Sequence, residues 1–166
     1  MTSRISIRTV LHFFIPAVIC CFTVFSAHAA ELKTVKPTQK DKCPVCGMFV
    51  AKYPDFTAGI VFKDGSHAVF DGVKDMFKYY FNMKKYNPSK KAEDIGSVFV
   101  TEYYGLGPVD ARKAFFVFGS DVHGPMGREL IPFEKMSDAT GFMKDHRGKR
   151  ILKFSEITPD IIRKLD

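Results

Sequence analysis

One apolar pattern occurs twice in this chain, 66 residues apart. Val73, Met76, Phe77 and Tyr80 stand at relative positions 0, 3, 4 and 7, and Ala139, Phe142, Met143 and His146 take the same positions further on. That spacing is one face of an α-helix. Short β-prone segments surround each stripe, so the pattern constrains the chain to helices packed on small sheets. These Met and aromatic positions read as core, not as a cofactor site.

Around the first stripe, Thr57 to Lys63 reads as a strand and Ser66 to Phe70 as its return. Asp64-Gly65 between them is a two-residue hairpin turn, because such turns need positive φ. Asp71 is expected to cap a helix running to about Tyr86. Ser97 to Tyr104 is the third strand, and Gly105-Leu106-Gly107-Pro108 breaks the chain. The second half follows the same plan: strands at Lys113 to Phe118 and Glu129 to Phe133, a helix capped by Ser137, and a strand from Arg150 to Ile157. Pro159 to Leu165 adds a short helical tail. The expected fold class is α+β, with two small ββαβ units at 43–108 and 109–166 forming a degenerate internal repeat.

Met1 to Ala29 has the form of a secretory signal peptide. Arg4 and Arg8 precede an apolar run from Val10 to Phe25, and Ala27-His28-Ala29 fits a small-x-small cleavage site. If retained, the run would serve as an anchor. Residues 30–42 are polar, with Pro37 and several Lys, and read as a flexible leader. Cleavage would remove two Arg and no acid, lowering the formal net charge from +7 to +5. The lysines are dispersed, which is the pattern of a solvated face and not of a nucleic-acid site. The reading is an exported protein without a nucleic-acid partner, and it leaves peripheral membrane association open.

Export leaves two cysteines, Cys43 and Cys46, in Cys-Pro-Val-Cys-Gly-Met. In an oxidising compartment they would pair unless a metal or a redox role keeps them apart. A thioredoxin-like centre places its cysteines after a strand and at a helix start, and neither is expected here. Structural zinc wants four ligands, whereas the chain offers two thiolates and scattered histidines. A plain disulfide is the simplest alternative. Cu(I) is soft, accepts two or three ligands and prefers thiolate and thioether sulfur, so Cys43, Cys46 and Met48 suit it.

The two halves differ where the hairpins turn. The first has Asp64-Gly65; the second has an extended stretch from Gly119 to Arg128, read as a long loop with Met126 near its tip. Such loops carry function more often than stability. Met126 is a candidate thioether ligand and His123, three residues earlier, a further candidate. His67 and His146 read as structural, and Met136 and Met143 as core. No Ser/His/acid set stands out, and Gly-Leu-Gly-Pro at 105–108 is a linker, not a nucleotide fingerprint.

Four blocks carry a family resemblance: Cys-Pro-Val-Cys-Gly-Met-Phe-Val from 43, Phe-Lys-Asp-Gly-Ser from 62, Phe-Asp-Gly-Val-Lys-Asp-Met-Phe-Lys from 70, and Gly-Ser-Asp-Val-His-Gly-Pro-Met-Gly-Arg-Glu-Leu-Ile-Pro-Phe from 119. In this order they resemble the NosL family, accessory factors for nitrous-oxide reductase. The resemblance implies a periplasmic Cu(I) metallochaperone, not an enzyme, built from two ββαβ units with a fold related to organomercurial lyase. It implies copper supply to the copper-sulfide cluster of nitrous-oxide reductase, together with a membrane ABC-type assembly complex. Carried onto this chain, the implied metal ligands are Met126, Cys43, Cys46 and Met48, with His123 beside them. Many members look like lipoproteins, whereas Ile19-Cys20-Cys21 fits a lipidation signal poorly, so Cys20 and Cys21 are not counted as ligands. The alternative reading is a thiol enzyme: a periplasmic thiol-disulfide oxidoreductase, or an organomercurial-lyase-like enzyme with Asp55 or Asp71 as proton donor.

Overall fold

The computed structural model describes residues 32–166. The expected signal segment, with Cys20 and Cys21, lies outside them. No helix among the described residues is long and apolar enough to cross a membrane.

The first sheet is built on β1 (Ala58–Phe62), which pairs antiparallel with β2 (His67–Phe70) on one side and β3 (Ile95–Thr101) on the other. A short β4 (Pro108–Asp110) extends β3, giving the order β2-β1-β3-β4. All five residues of β1 are buried, so both faces of the sheet are covered at its centre. The β1–β2 turn falls at Asp64-Gly65 but is one residue longer than expected: the Phe62 N–H donates to the Ser66 carbonyl at 2.8 Å, so Lys63, Asp64 and Gly65 form the turn, and of these Gly65 alone takes positive φ. Gly65 adopts φ +86°, and Asp64 Oδ1 accepts from the Ser66 N–H at 3.1 Å.

α1 (Val73–Phe81) follows β2 directly and packs its apolar stripe inward, with Val73, Met76 and Phe77 buried. The second sheet has β5 (Phe115–Gly124) at its centre, between β6 (Gly127–Phe133) and β7 (Arg150–Lys153). Its side chains alternate between two cores, as pleating requires. Phe116, Leu130 and Leu152 join the core shared with α1 and the first sheet; Val117, Ile131 and the half-buried Ile151 join Phe142 of α3 (Met136–Asp145). Phe77 and Phe116 meet edge to face, ring centroids 5.8 Å apart, which ties α1 to the second sheet. In each sheet the first strand of the half is central and the strand after the helix lies beside it.

The expected boundaries shift in physically readable ways. The first helix ends at Phe81, and a separate turn, α2 (Met83–Tyr86), follows Asn82. Pro108 opens β4 instead of only breaking the chain; proline is tolerated in this edge strand. The last strand stops at Lys153 and becomes a helical turn over Phe154–Glu156, before α4 (Pro159–Arg163). Neither expected cap holds. The cap positions are Gly72 and Lys135, without a side-chain cap bond. Asp71 turns away from the helix, towards the cysteines.

The largest correction concerns Gly119 to Arg128. This segment is not a loop but the arm of a hairpin. β5 runs on to Gly124, β6 starts at Gly127, and Pro125-Met126 is the turn. The ladder is irregular between Phe118 and His123, then resumes with His123 opposite Arg128 and Gly124 opposite Gly127. Gly127 closes the turn at φ +85°, where a Cβ would be strained. The extra residues thus lengthen the ribbon and carry Met126 outward.

Candidate metal centre

The Cys-x-x-Cys segment folds as a tight backbone turn. The Cys43 N–H donates to the Met48 carbonyl at 2.8 Å, and the Gly47 N–H donates to the Cys43 carbonyl at 2.8 Å. Gly47 stands at φ +81°, which accounts for the glycine after Cys46. An isolated bridge between Lys42 and Phe49 closes the base, and fully buried Val50 anchors it in the core. Against the effect of burial, the backbone N–H groups of Val45 and Cys46 pull the Cys43 thiol down, and that of Met48 pulls the Cys46 thiol down. Such donors favour a thiolate.

The start of α1 supplies the other half. Asp71 and Asp75 are one helical turn apart and both buried, on the same side as the sulfurs. Cys46 Sγ donates to Asp71 Oδ1 at 3.2 Å, and Cys43 Sγ to Asp75 Oδ2 at 3.4 Å. One ligand atom from each of Cys43, Cys46, Asp71 and Asp75 lies within 4.8 Å of all the others. Cys46 is the half-buried member, so the cluster is reached from its side.

Asp71 Oδ2 is buried and has no hydrogen-bond partner. A buried carboxylate oxygen without a donor is costly and rare, and a cation would satisfy it. Without a metal the thiols hold their protons. Burial pushes Cys43 far above the ordinary thiol range and Cys46 up to about 11, and the carboxylates add to both shifts. Metal entry must therefore displace thiol protons. Two sulfurs suit Cu(I), and the complete set of two sulfurs and two oxygens also matches the tetrahedral donor set of a borderline ion such as Zn²⁺. Counting only thiolates and histidines in the sequence overlooked the carboxylates.

Of the predicted ligands, the structure brings Cys43 and Cys46 together. Met48 is half-buried and contributes its backbone to the turn. Met126 and His123 lie on the β5–β6 arm, both exposed, on a cleft that Lys74 and Arg128 also line. The arm reaches the same end of α1: Lys74, between Asp71 and Asp75 in sequence, donates from Nζ to the Met126 carbonyl at 2.9 Å. His67 is exposed at the start of β2. His146 stacks on Phe142 and meets Asp121 at 3.1 Å. Asp55 is exposed and outside the cluster. An apolar cavity between residues 34–37 and Phe99 of the first sheet contains none of the candidate ligands.

Asp71 and Asp75 are the ligand candidates that the sequence reading missed. Their signal was present: an i, i+4 acid pair opening a helix whose next residues, Met76 and Phe77, are core. In sequence Asp71 reads as a helix cap or, in the enzyme alternative, a proton donor, and not as a ligand.

Fold and cluster together define a small α+β protein with a sulfur–carboxylate cluster able to hold a metal ion. The chain belongs to the NosL family, whose model matches residues 34–162. A relative from Stutzerimonas stutzeri, described as the copper-binding lipoprotein NosL, is 27% identical over 135 residues, covering 80% of this chain and 70% of that one. The crystal structure of the copper chaperone NosL from Shewanella denitrificans superposes with a TM-score of 0.66 at 23% identity, over 78% of this chain and 98% of that one. A solution structure of apo-NosL from Achromobacter cycloclastes has a TM-score of 0.45 at 26% identity, over 63% of this chain and 87% of that one.

Proposed function

We propose that this protein is a Cu(I) metallochaperone and not an enzyme. The observation that carries the reading is the pairing of two reduced cysteines with two buried carboxylates, one oxygen of which lacks a partner. The copper-binding relative and the copper chaperone structure point the same way.

Cargo capture proceeds by ligand exchange. Cu(I) displaces the thiol protons of Cys46 and Cys43 and binds their sulfurs. Met126 supplies a thioether from the neighbouring arm, with His123 beside it. A thioether is neutral, so it can leave without taking a proton, which suits release to an acceptor. The carboxylates Asp71 and Asp75 accept those protons or neutralise the cation. Oxidation of the cysteine pair to a disulfide would close the site.

The acceptor we propose is nitrous-oxide reductase, during assembly of its copper-sulfide cluster, or the membrane ABC-type complex that serves it; this rests on the four sequence blocks. A periplasmic location follows from the expected export signal, and membrane tethering is supported by the lipoprotein relative. The test is an anaerobic Cu(I) competition titration of the reduced protein against a chromophoric chelator. One tight equivalent, weakened by Cys43→Ser/Cys46→Ser and by Met126→Ala, supports the carrier. No competition would remove it.

One observation favours a second reading. Each thiol has a carboxyl group within 3.4 Å, which is the arrangement a carbon–metal lyase needs: sulfurs to bind the metal and an acid to protonate the carbon. Release of hydrocarbon from an organomercurial substrate, lost in Asp71→Asn, would establish it. A thiol-disulfide oxidoreductase is less well served, because a thiol pushed up to about 11 is a poor nucleophile at neutral pH.

A further inference from the structure

The β5–β6 arm and the cysteine cluster come from different halves of the chain, so something must fix one relative to the other. Two side chains span the gap, Glu129 from β6 and Lys74 from α1. Glu129 lies on β6, three residues past the turn, and is only 3% exposed. Its Oε1 accepts from the Lys74 N–H on α1 at 2.6 Å and from the Leu130 N–H on its own strand at 2.9 Å. Its other oxygen sits where two glycines leave room. A Cβ on Gly72, next to Asp71, would fall 2.3 Å from Oε2, and a Cβ on Gly124, at the tip of the arm, would fall 3.2 Å from it. Gly72 has extended backbone at φ −167°, so its own conformation does not demand glycine; the approach of the carboxylate does.

A buried acid is costly to keep. Glu129 is more than a generic core residue, because its partners are the backbone beside one proposed ligand, Asp71, and the strand that carries another, Met126. The Lys74 side chain completes the junction by donating to the Met126 carbonyl at 2.9 Å.

We propose that Glu129 is a positioning residue that clamps the Met126 arm to the start of α1, so that the thioether faces the cysteine cluster. This deepens the copper-carrier reading and rests on it. Glu129 acts through Met126 and is not itself a ligand. Residues that orient metal ligands typically change affinity by about 10- to 100-fold when removed.

The test is a double-mutant cycle, read by anaerobic Cu(I) competition titration of the full reduced protein. Glu129→Ala should weaken binding by about 10- to 100-fold. In a Met126→Ala background the same change should add less than about twofold, since the thioether it positions is already gone. Glu129→Gln keeps an acceptor for both N–H groups and should retain near-native affinity. Gly72→Ala, which collides with the clamped carboxylate, should reproduce Glu129→Ala and serves if that variant does not fold. Independent losses in the two backgrounds would overturn the clamp, as would an unchanged Glu129→Ala. Loss of affinity in Glu129→Gln as large as in Glu129→Ala would make Glu129 a direct ligand and also overturn it. If the wild type does not compete for Cu(I) at all, the copper reading itself fails and the clamp with it. That outcome is separate from those in which the wild type binds and the cycle fails.

Discussion

The two hairpins begin alike and end differently. β1–β2 closes at Asp64-Gly65, with His67 exposed at its mouth, and its tip meets Lys90 and the Asp94 carbonyl. β5–β6 runs further, carries a buried acid at Glu129, and sets Met126 beside the start of α1. The strand–helix junctions after them differ in the opposite sense. In the first half, Asp71, Lys74 and Asp75 are buried where β2 enters α1; in the second half Glu134 to Ser137 are exposed where β6 enters α3. Each half thus modifies the part that meets the other. The first supplies the sulfur–carboxylate cluster, and the second supplies the arm that meets α1 at Lys74. The proposed site joining the halves would account for the divergence of elements of the same order at these places.

The contrast can be tested from its strongest element outward. Cys43→Ser/Cys46→Ser removes both thiolates and should weaken Cu(I) binding by at least about a hundredfold in competition titration, since hydroxyl oxygen is a poor ligand for a soft ion. Asp71→Asn removes the carboxylate facing Cys46. Burial is the larger cause of the raised Cys46 thiol and Asp71 adds to it, so the thiol should fall only part of the way from about 11, and its alkylation at pH 8 should quicken by about threefold.

The buried acid of the second hairpin should show in the pH dependence of stability. Burial raises Glu129 from 4.5 to about 8. Its contribution to stability is full below pH 4.5 and is lost as pH rises towards 8, because only the unfolded chain ionises freely over that window. Each pH unit in the window costs about 1.4 kcal/mol at most. Denaturant unfolding of apo Glu129→Gln should therefore show a variant less sensitive to pH than the wild type between those values. The first hairpin is the control. Gly65→Ala, at φ +86°, should cost about 1–2 kcal/mol of stability and leave Cu(I) affinity unchanged.

Much of this could be read from the sequence, because it depends on local chemistry. The stripe at Val73, Met76 and Phe77 marks α1, and Asp64-Gly65 marks the first turn. Cys43 and Cys46 stand out because they are the only cysteines after the expected signal. What the sequence did not disclose depends on contacts distant along the chain. Asp71 is equally suited to capping a helix or facing a thiol, and the choice is made by Cys46, 25 residues away. Gly119 to Arg128 looks like a loop because glycine and proline usually break strands. Pairing with β6 holds the segment as a ribbon. Glu129 reads as an ordinary polar residue opening a strand until the helix N–H of Lys74, 55 residues away, is placed beside it.

The central claim is that sulfurs from both halves meet at one copper ion. The most direct measurement is X-ray absorption of the Cu(I)-loaded, reduced protein, compared with Met126→Ala. The account predicts a shell dominated by sulfur that loses one sulfur scatterer in the variant. An identical shell in both proteins, or one dominated by nitrogen and oxygen, would contradict it.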